Sequence, residues 1–307
     1  MSYTISNGII QTTTCEVNIV HHCNLACQSC SHLSPVLSRH IADASQIFDD
    51  LSILAKYYHA TQARIIGGEP LLHPNLIGII DAIRASRISD TIRIATNGIL
   101  LPRMPETFWQ RVNEVAISVY PGKELSEQQI AHCHTQADMY GVKLQIFLFD
   151  RFRVSYSEFG THNSTLVARI YRTCLVAHHW RCHTIQDGYF YRCPQSLFLP
   201  RVLNDAITPA TVDGIKIVDT PGFQEQLLAY LESLAPLHSC SYCLGSAGRL
   251  FPHGQVARKD WRNLQQAPTE ALLDEPFLAA LEEAGKEIDT LCIRKPYESP
   301  SIALLPL

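Results

Sequence analysis

The chain has 307 residues, enough for one medium-sized α/β domain with a smaller appendage, and 46% of them are apolar. A net charge of −4 without any block of Lys or Arg argues against a nucleic-acid or membrane surface. The first residues lack the features of a signal peptide, and no stretch approaches the length of a transmembrane span. With eleven cysteines, we expect a cytoplasmic protein that uses thiols to bind metal.

Strand and helix patterns alternate from residue 16 to about residue 150. The predicted strands are Cys15–His21, Ala63–Ile66, Thr91–Ala95, Glu114–Val119 and Val142–Phe149. The predicted helices are Ala42–Tyr58, one opened by Pro74, Ser126–Tyr140 closed at Gly141, Phe223–Leu234 and Glu275–Ile288. Repeated strand–helix units indicate a parallel sheet, and five or six of them are too few for a closed eight-stranded barrel.

Three cysteines with CxxxCxxC spacing follow the first predicted strand: Cys23, Cys27 and Cys30. In α/β folds, ligands bind at the carboxyl ends of strands. A four-iron cluster usually has one Cys for each iron, so three thiolates would leave one iron open for chemistry. Zinc is the alternative, because three nearby histidines could supply its fourth ligand: His21, His22 and His32.

A second motif, Gly67-Gly68-Glu69-Pro70, follows the second predicted strand. Its glycines let the backbone approach a ligand closely, and its carboxylate can accept a hydrogen bond from an ammonium group. The two motifs together resemble the radical S-adenosylmethionine (SAM) superfamily, in which GGEP contacts the amino end of the methionine moiety. The resemblance implies a partial (β/α)6-type barrel. Ser29 is a departure, because many members have an aromatic residue there, near the adenine.

Polar residues also stand at the ends of the third and fourth predicted strands. These residues are Thr96, Asn97 and Ser118, on the same rim as the cysteine triplet. By resemblance, polar residues at these positions bind the ribose and carboxylate of SAM. The alternative is that they cap backbone groups where the strands end.

Cysteines return after about residue 170, where the strand–helix alternation stops. Four of them form the pattern C-x13-G-x4-C followed by CxxC: Cys174, Cys193, Cys240 and Cys243. Asp187-Gly188 predicts a tight hairpin that brings the second of these cysteines back along the preceding segment. The pattern resembles the twitch domain, a shortened SPASM domain that carries one auxiliary [4Fe–4S] cluster. A zinc site with four thiolates is the alternative.

The other cysteines are not assigned as ligands. Cys182 lies in the same region as the second set and is left out of it, whereas Cys133 is predicted to be a core thiol of a helix. Cys15 and Cys292 are expected to be structural. The predicted domains are the barrel over 1–165, the auxiliary iron–sulfur domain over 166–250 and a helical extension over 251–307.

The resemblance implies a reaction but no catalytic side chain. A reduced cluster would cleave SAM to methionine and a 5′-deoxyadenosyl radical, which abstracts hydrogen from the substrate. A fully ligated second cluster can only move electrons, so a net oxidation is predicted, as in 2-deoxy-scyllo-inosamine dehydrogenase-type enzymes. Epimerisation or decarboxylation of a sugar or nucleoside is the open alternative. An electron donor such as a flavodoxin or ferredoxin is implied.

The substrate is predicted from the position of the triplet. Because Cys23 stands so early, we expect no N-terminal leader-peptide domain, and therefore a small substrate. The candidates are an amino sugar, a cyclitol, a nucleoside or a nucleotide sugar. Two alternatives stay open: a radical maturase that modifies a peptide or protein side chain, and a non-enzymatic metal-binding protein.

Overall fold

The structure is a computed structural model that describes residues 3–203, 209–284 and 295–297. Its strands are β1 (Thr4–Ser6), β2 (Ile9–Val20), β3 (Tyr58–Gly67), β4 (Ser89–Thr96), β5 (Glu114–Val119), β6 (Lys143–Leu148), β7 (Arg151–Arg153), β8 (Thr184–Gln186), β9 (Tyr189–Tyr191), β10 (Gly214–Lys216), β11 (Leu250–Pro252) and β12 (Lys295–Pro296). Its α-helices are α1 (Ala44–Leu54), α2 (Leu76–Ser86), α3 (Glu106–Trp109), α4 (Glu127–Tyr140), α5 (Ser164–Arg172), α6 (Pro194–Val202), α7 (Phe223–Glu232), α8 (Thr269–Leu272) and α9 (Glu275–Ala284). Cys292 and the end of the predicted helix Glu275–Ile288 lie outside the described residues.

One large sheet organises the fold, with the strand order β10-β9-β8-β2-β3-β4-β5-β6-β12 and β1 added beside β2. The six adjacent strands β8-β2-β3-β4-β5-β6 run parallel to one another. The strands β1, β9, β10 and β12 each pair antiparallel with their neighbours. The predicted α/β fold with a parallel sheet is therefore confirmed. None of the described helices combines the length and the apolar character that crossing a membrane would require.

The two faces of the parallel sheet differ in polarity because side chains alternate along each strand. One face packs apolar residues such as Val17 against helices that include α1 and α2. On the other face, one row of paired positions carries charged residues: Glu16, Arg64, Arg93 and Glu114. Arg93 Nη1 lies 3.1 Å from Glu114 Oε1. The sheet thus has a helix-covered apolar side and an opposite side that carries a row of charged residues.

The predicted helix Ala42–Tyr58 is wrong at both ends. Asp43 caps α1, since its Oδ1 accepts hydrogen bonds from the backbone N–H groups of Ser45 and Gln46. Tyr58 is instead the first residue of β3, paired with Ile10 and fully buried. An aromatic residue suits a strand that is covered by a helix layer, and this tertiary contact overrides the helical spacing.

The prediction of a hairpin at Asp187-Gly188 is confirmed. Both residues have positive φ, 52° and 75°, and they join β8 to β9. β8 also pairs in parallel with β2, where Thr184 stands opposite Glu16. The hairpin therefore extends the main sheet, and the division of the chain at residue 165 stays a prediction.

Candidate metal centres

The cysteine triplet occupies the loop that leaves the carboxyl end of β2, over residues 23–30. A distant segment backs this loop: Gln28 N donates to Gly254 O at 2.8 Å, and Trp261 Nε1 donates to Cys27 O at 2.8 Å. Trp261 is fully buried. The segment after residue 251, which the sequence placed in an extension, therefore helps to hold the loop of the first candidate centre.

The three thiols of the triplet lie close enough to repel one another as thiolates. Burial raises the pKa of Cys23 to about 12 and also raises those of Cys27 and Cys30. Leu25 N donates to Cys23 Sγ at 3.4 Å, and Asn97 Nδ2 lies 3.8 Å from the same sulfur. Three converging thiols with N–H donors fit an iron–sulfur cluster, whose positive irons would stabilise the thiolates.

No set of three or more His, Cys, Asp or Glu side chains within the described ranges is arranged to hold a metal ion. A four-iron cluster is larger than a single ion, and its sulfur ligands stand farther apart. The fit of the triplet to a cluster therefore depends on the chemistry of the three thiols and their donors.

The two glycines of the GGEP motif let this turn meet the start of the cysteine loop. A Cβ on Gly67, whose φ is 151°, would lie 2.2 Å from Val20 O, and one on Gly68 would lie 2.1 Å from His22 O. Gly68 N donates to Val20 O at 2.8 Å, and Glu69 N donates to His22 O at 3.0 Å. The close approach that we predicted for a ligand is made here to the chain itself.

We expect Gly68→Ala to destabilise the protein by about 1–3 kcal/mol, because the new methyl group would overlap a backbone carbonyl that cannot move freely. Iron binding at the triplet should fall in parallel, as measured by denaturant unfolding and iron analysis after reconstitution. Gly254→Ala is the matched control, since a Cβ there meets nothing within 4 Å. Equal stability and iron content in the two variants would contradict the prediction.

Glu69 links the GGEP turn to the end of β4. Its Oε1 accepts from Thr96 Oγ1 at 2.6 Å and from Leu71 N at 3.1 Å, and its Oε2 accepts from Asn97 N at 2.8 Å. The residue is 1% exposed, and burial raises the pKa of its carboxyl group. Asn97 Nδ2 in turn donates to Asn24 Oδ1 at 2.7 Å. A continuous hydrogen-bonded path therefore joins the two motifs.

Glu69→Gln should cost about 1–3 kcal/mol of unfolding free energy. Whichever way the new amide is turned, its NH2 group faces a backbone N–H donor, because both carboxylate oxygens accept from one. Urea unfolding of the metal-free protein measures this effect without any cofactor. Glu283→Gln is the control at an exposed position, and an equally small change in both variants would refute the expected role.

The predicted strand-end residues lie on the rim, where they also cap turns. Thr96 Oγ1 accepts from Gly98 N at 3.0 Å, and Asn97 Oδ1 accepts from Ile99 N at 3.1 Å. The Ser118 side chain lies beside the phenol of Tyr120. Capping of backbone groups is thus observed for the first two, and a contact of any of these residues with SAM stays a prediction.

Sequence reasoning missed an aromatic group beside the triplet. Burial raises the pKa of Tyr120, and the neighbouring charge of Cys27 acts in the same direction, which places the phenol near the loop. The Tyr120 ring stacks on His253 with centroids 4.7 Å apart, and Phe152 meets both rings edge-on. Tyr120 could have been found from the sequence, because it directly follows β5 at the strand end that carries the site. Nothing in the sequence links His253 to the triplet, because the two are far apart along the chain.

The second cysteine set lines a single cavity of about 410 Å³, counted with its open mouth. The four cysteines on its wall are Cys174, Cys193, Cys240 and Cys243. Cys182 is not among the residues that line it, and its thiol instead forms a hydrogen bond with Glu16. The structure thus brings together the four predicted residues and separates the fifth, although their ligation of a cluster stays a prediction.

The surroundings of the second cavity suit thiolate ligands. Burial raises the pKa of Cys193 to about 12, and Gly245 N donates to Cys243 Sγ at 3.2 Å. Asp213 orders the turn that carries the CxxC pair, because its carboxylate accepts from Ser239 N at 2.8 Å. Four cysteines around one cavity, of which Cys174 and Cys243 are buried and the other two half-buried, fit a fully ligated four-iron cluster.

Comparisons with known proteins place these features in context. No family model matches the chain. GTP 3',8-cyclase from Trichodesmium erythraeum (strain IMS101) is 29% identical over 99 residues, which are 31% of this chain and 30% of the relative. GTP 3',8-cyclase from Xanthomonas campestris pv. campestris (strain B100) is 34% identical over 93 residues, 29% of this chain and 27% of the relative. The similarity supports the radical SAM superfamily.

The chain thus spans about a third of the length of these radical SAM relatives. Among solved structures, BtrN in complex with AdoMet and 2-DOIA has a TM-score of 0.37 at 15% identity, covering 63% of this chain and 75% of BtrN. The similarity to the superfamily rests on the aligned sequences, which cover about 30% of this chain.

The predicted radical SAM residues form two groups in the structure. The first joins the cysteine triplet, the GGEP turn and the ends of β4 and β5 along one rim of the sheet. The second is the four-cysteine cavity. Cys133 is a fully buried residue of α4, as predicted, and Cys15 is fully buried in β2.

Proposed function

We propose that this protein is a radical SAM enzyme that abstracts hydrogen from a small molecule. The substrate class is an amino sugar, cyclitol, nucleoside or nucleotide sugar, and the net reaction is an oxidation. The observation that carries the proposal is the path from Asn24 and Cys23 through Asn97 to Glu69. It couples the residues that would hold the cluster to the residues that would hold SAM.

A [4Fe–4S] cluster at Cys23, Cys27 and Cys30 would supply the electron that splits SAM into methionine and a 5′-deoxyadenosyl radical. The chain's own part is to position the reactants and exclude water. Trp261 backs the loop and is fully buried, so it shields the cysteines on that side. Among the residues that the structure describes, only Asn97 N donates to Glu69 Oε2, so this oxygen keeps acceptor capacity for the ammonium group of SAM.

The second cavity supports an oxidation. A substrate that has lost a hydrogen atom must lose one more electron and one proton to become a closed-shell oxidised product. Four cysteines would leave no coordination position open, so a [4Fe–4S] centre held there would accept that electron without binding substrate. We place the enzyme in the cytoplasm, with a flavodoxin or ferredoxin as the electron donor.

The decisive experiment is an anaerobic assay with reconstituted protein, SAM and a strong reductant. We expect release of 5′-deoxyadenosine, and transfer of deuterium into it from a labelled substrate in candidate metabolite pools. Intact clusters without any 5′-deoxyadenosine would overturn the proposal. Zinc without acid-labile sulfide would instead establish a non-enzymatic metal-binding protein.

A further inference from the structure

We propose that Arg192 is a positioning residue of the second centre, a fixed positive charge that favours the reduced, more negative state of the cluster held there. The inference rests on the proposed auxiliary cluster. Arg192 is not one of the four proposed ligands. Its charge would instead raise the reduction potential of the cluster that they hold.

The Arg192 side chain is buried behind the cavity wall. The residue directly precedes Cys193 and is 3% exposed. Its Nη1 donates to Tyr230 O at 2.5 Å and its Nη2 contacts His178 Nδ1 at 3.3 Å. Its guanidinium carbon lies 5.6 Å from the ring centroid of Tyr171, which lines the cavity. These contacts fix the guanidinium group against Tyr171, a residue of the cavity wall, one position along the chain from Cys193.

The hydrogen bonds of Arg192 leave its charge without a carboxylate partner in the part of the chain that the structure describes. Its partners are a carbonyl oxygen and an imidazole, and its Nε is buried without an acceptor. The carboxylate of Asp213 lies in the same region, but it accepts from His238 N and Ser239 N. A guanidinium group stays charged in proteins, and burying it is costly unless a negative charge compensates it.

His178 holds the guanidinium group in place without adding a charge of its own. Because its Nδ1 faces an arginine donor, it must accept there, and its Nε2 then carries the hydrogen and donates to Tyr171 O at 2.8 Å. Burial, followed by the charge of Arg192, lowers the pKa of His178 to about 4. The imidazole is therefore neutral near pH 7.

The thiols of the cavity supply the missing negative charge when they bind a cluster as thiolates. Arg192 directly precedes Cys193, and its guanidinium group lies against Tyr171, which lines the same cavity as the four cysteines. Reduction adds one electron to the cluster, and no bond to Arg192 forms or breaks. A fixed positive charge in a buried region stabilises that added charge and so raises the reduction potential.

The test compares Arg192→Gln, which removes the charge, with Arg192→Lys, which keeps it. Both are made in the full chain carrying Cys23→Ala, Cys27→Ala and Cys30→Ala, so that only the second centre holds a cluster. After anaerobic reconstitution, the midpoint potential is measured by titration with dithionite, followed by electron paramagnetic resonance. We expect a lower midpoint in R192Q and a midpoint near the parent value in R192K.

An unchanged midpoint in R192Q with an intact cluster would overturn the inference. If R192Q does not fold, R192K decides alone, because a clear fall in its midpoint would show that charge is not the controlling property. If both variants fold but neither binds a cluster, cluster binding requires the shape of the arginine side chain and not its charge alone. The inference then fails. If the parent triple variant binds no second cluster, the proposed auxiliary centre itself is wrong.

Discussion

Cys27→Ala is expected to release no 5′-deoxyadenosine above the background of cluster-free protein. Two thiolates cannot hold a cluster in which three irons each need a cysteine ligand. Cys27 is also the residue whose carbonyl oxygen accepts the hydrogen bond from Trp261 Nε1. Iron content should fall by about four atoms per chain, which is one cluster. The measurements are chromatography of the anaerobic SAM reaction and iron and sulfide analysis.

Cys182→Ser is the matched control for Cys27→Ala. Cys182 is half-buried, its thiol contacts Glu16, and it does not line the second cavity, so iron content and SAM cleavage should stay at the parental level. Retained SAM cleavage in Cys27→Ala would mean that the triplet does not hold the reactive centre.

Cys243→Ala is expected to separate SAM cleavage from substrate oxidation. The variant loses one of the four thiols of the second cavity, so about four iron atoms per chain should be lost while the first centre keeps its own. The protein should still release 5′-deoxyadenosine, but oxidised product should fall to background because the electron has no acceptor. Iron analysis and parallel quantification of both products measure this separation.

Cys133→Ala controls for the loss of a buried thiol. Cys133 is fully buried in α4, so the substitution leaves a similar small cavity but touches neither cysteine group. It should keep both clusters and the parental ratio of oxidised product to 5′-deoxyadenosine. Normal oxidised product in Cys243→Ala would remove the auxiliary centre from the mechanism.

Much of the parallel sheet could be predicted because its signals are local. Period-two apolar patterns located the strands, and Glu114–Val119 matches β5 at both ends. The α4 prediction also holds, since Ser126 and Gln129 form a capping box and Gly141 has a left-handed conformation. Both features depend on residues a few positions apart, so they are present before the chain folds.

Element ends were less predictable where long-range packing decides them. Tyr58 continues the apolar spacing of α1, yet it pairs with Ile10 across the sheet. For β8, the sequence predicts the hairpin with β9 but not the parallel pairing with β2. That pairing requires the free edge of β2, which exists only after the sheet has formed. A spacing rule carries no information about which partner strand will be available.

For the candidate sites, the sequence alone predicted the ligand chemistry from two cysteine patterns, a GGEP turn and polar residues at strand ends. Only the tertiary structure decided what surrounds them. It brought Trp261 and His253 to the triplet and buried Arg192 behind the second cavity. Spacing along the chain specifies which donors can reach one metal centre, whereas the burial of the groups around that centre and their contacts with distant residues arise only when the chain folds.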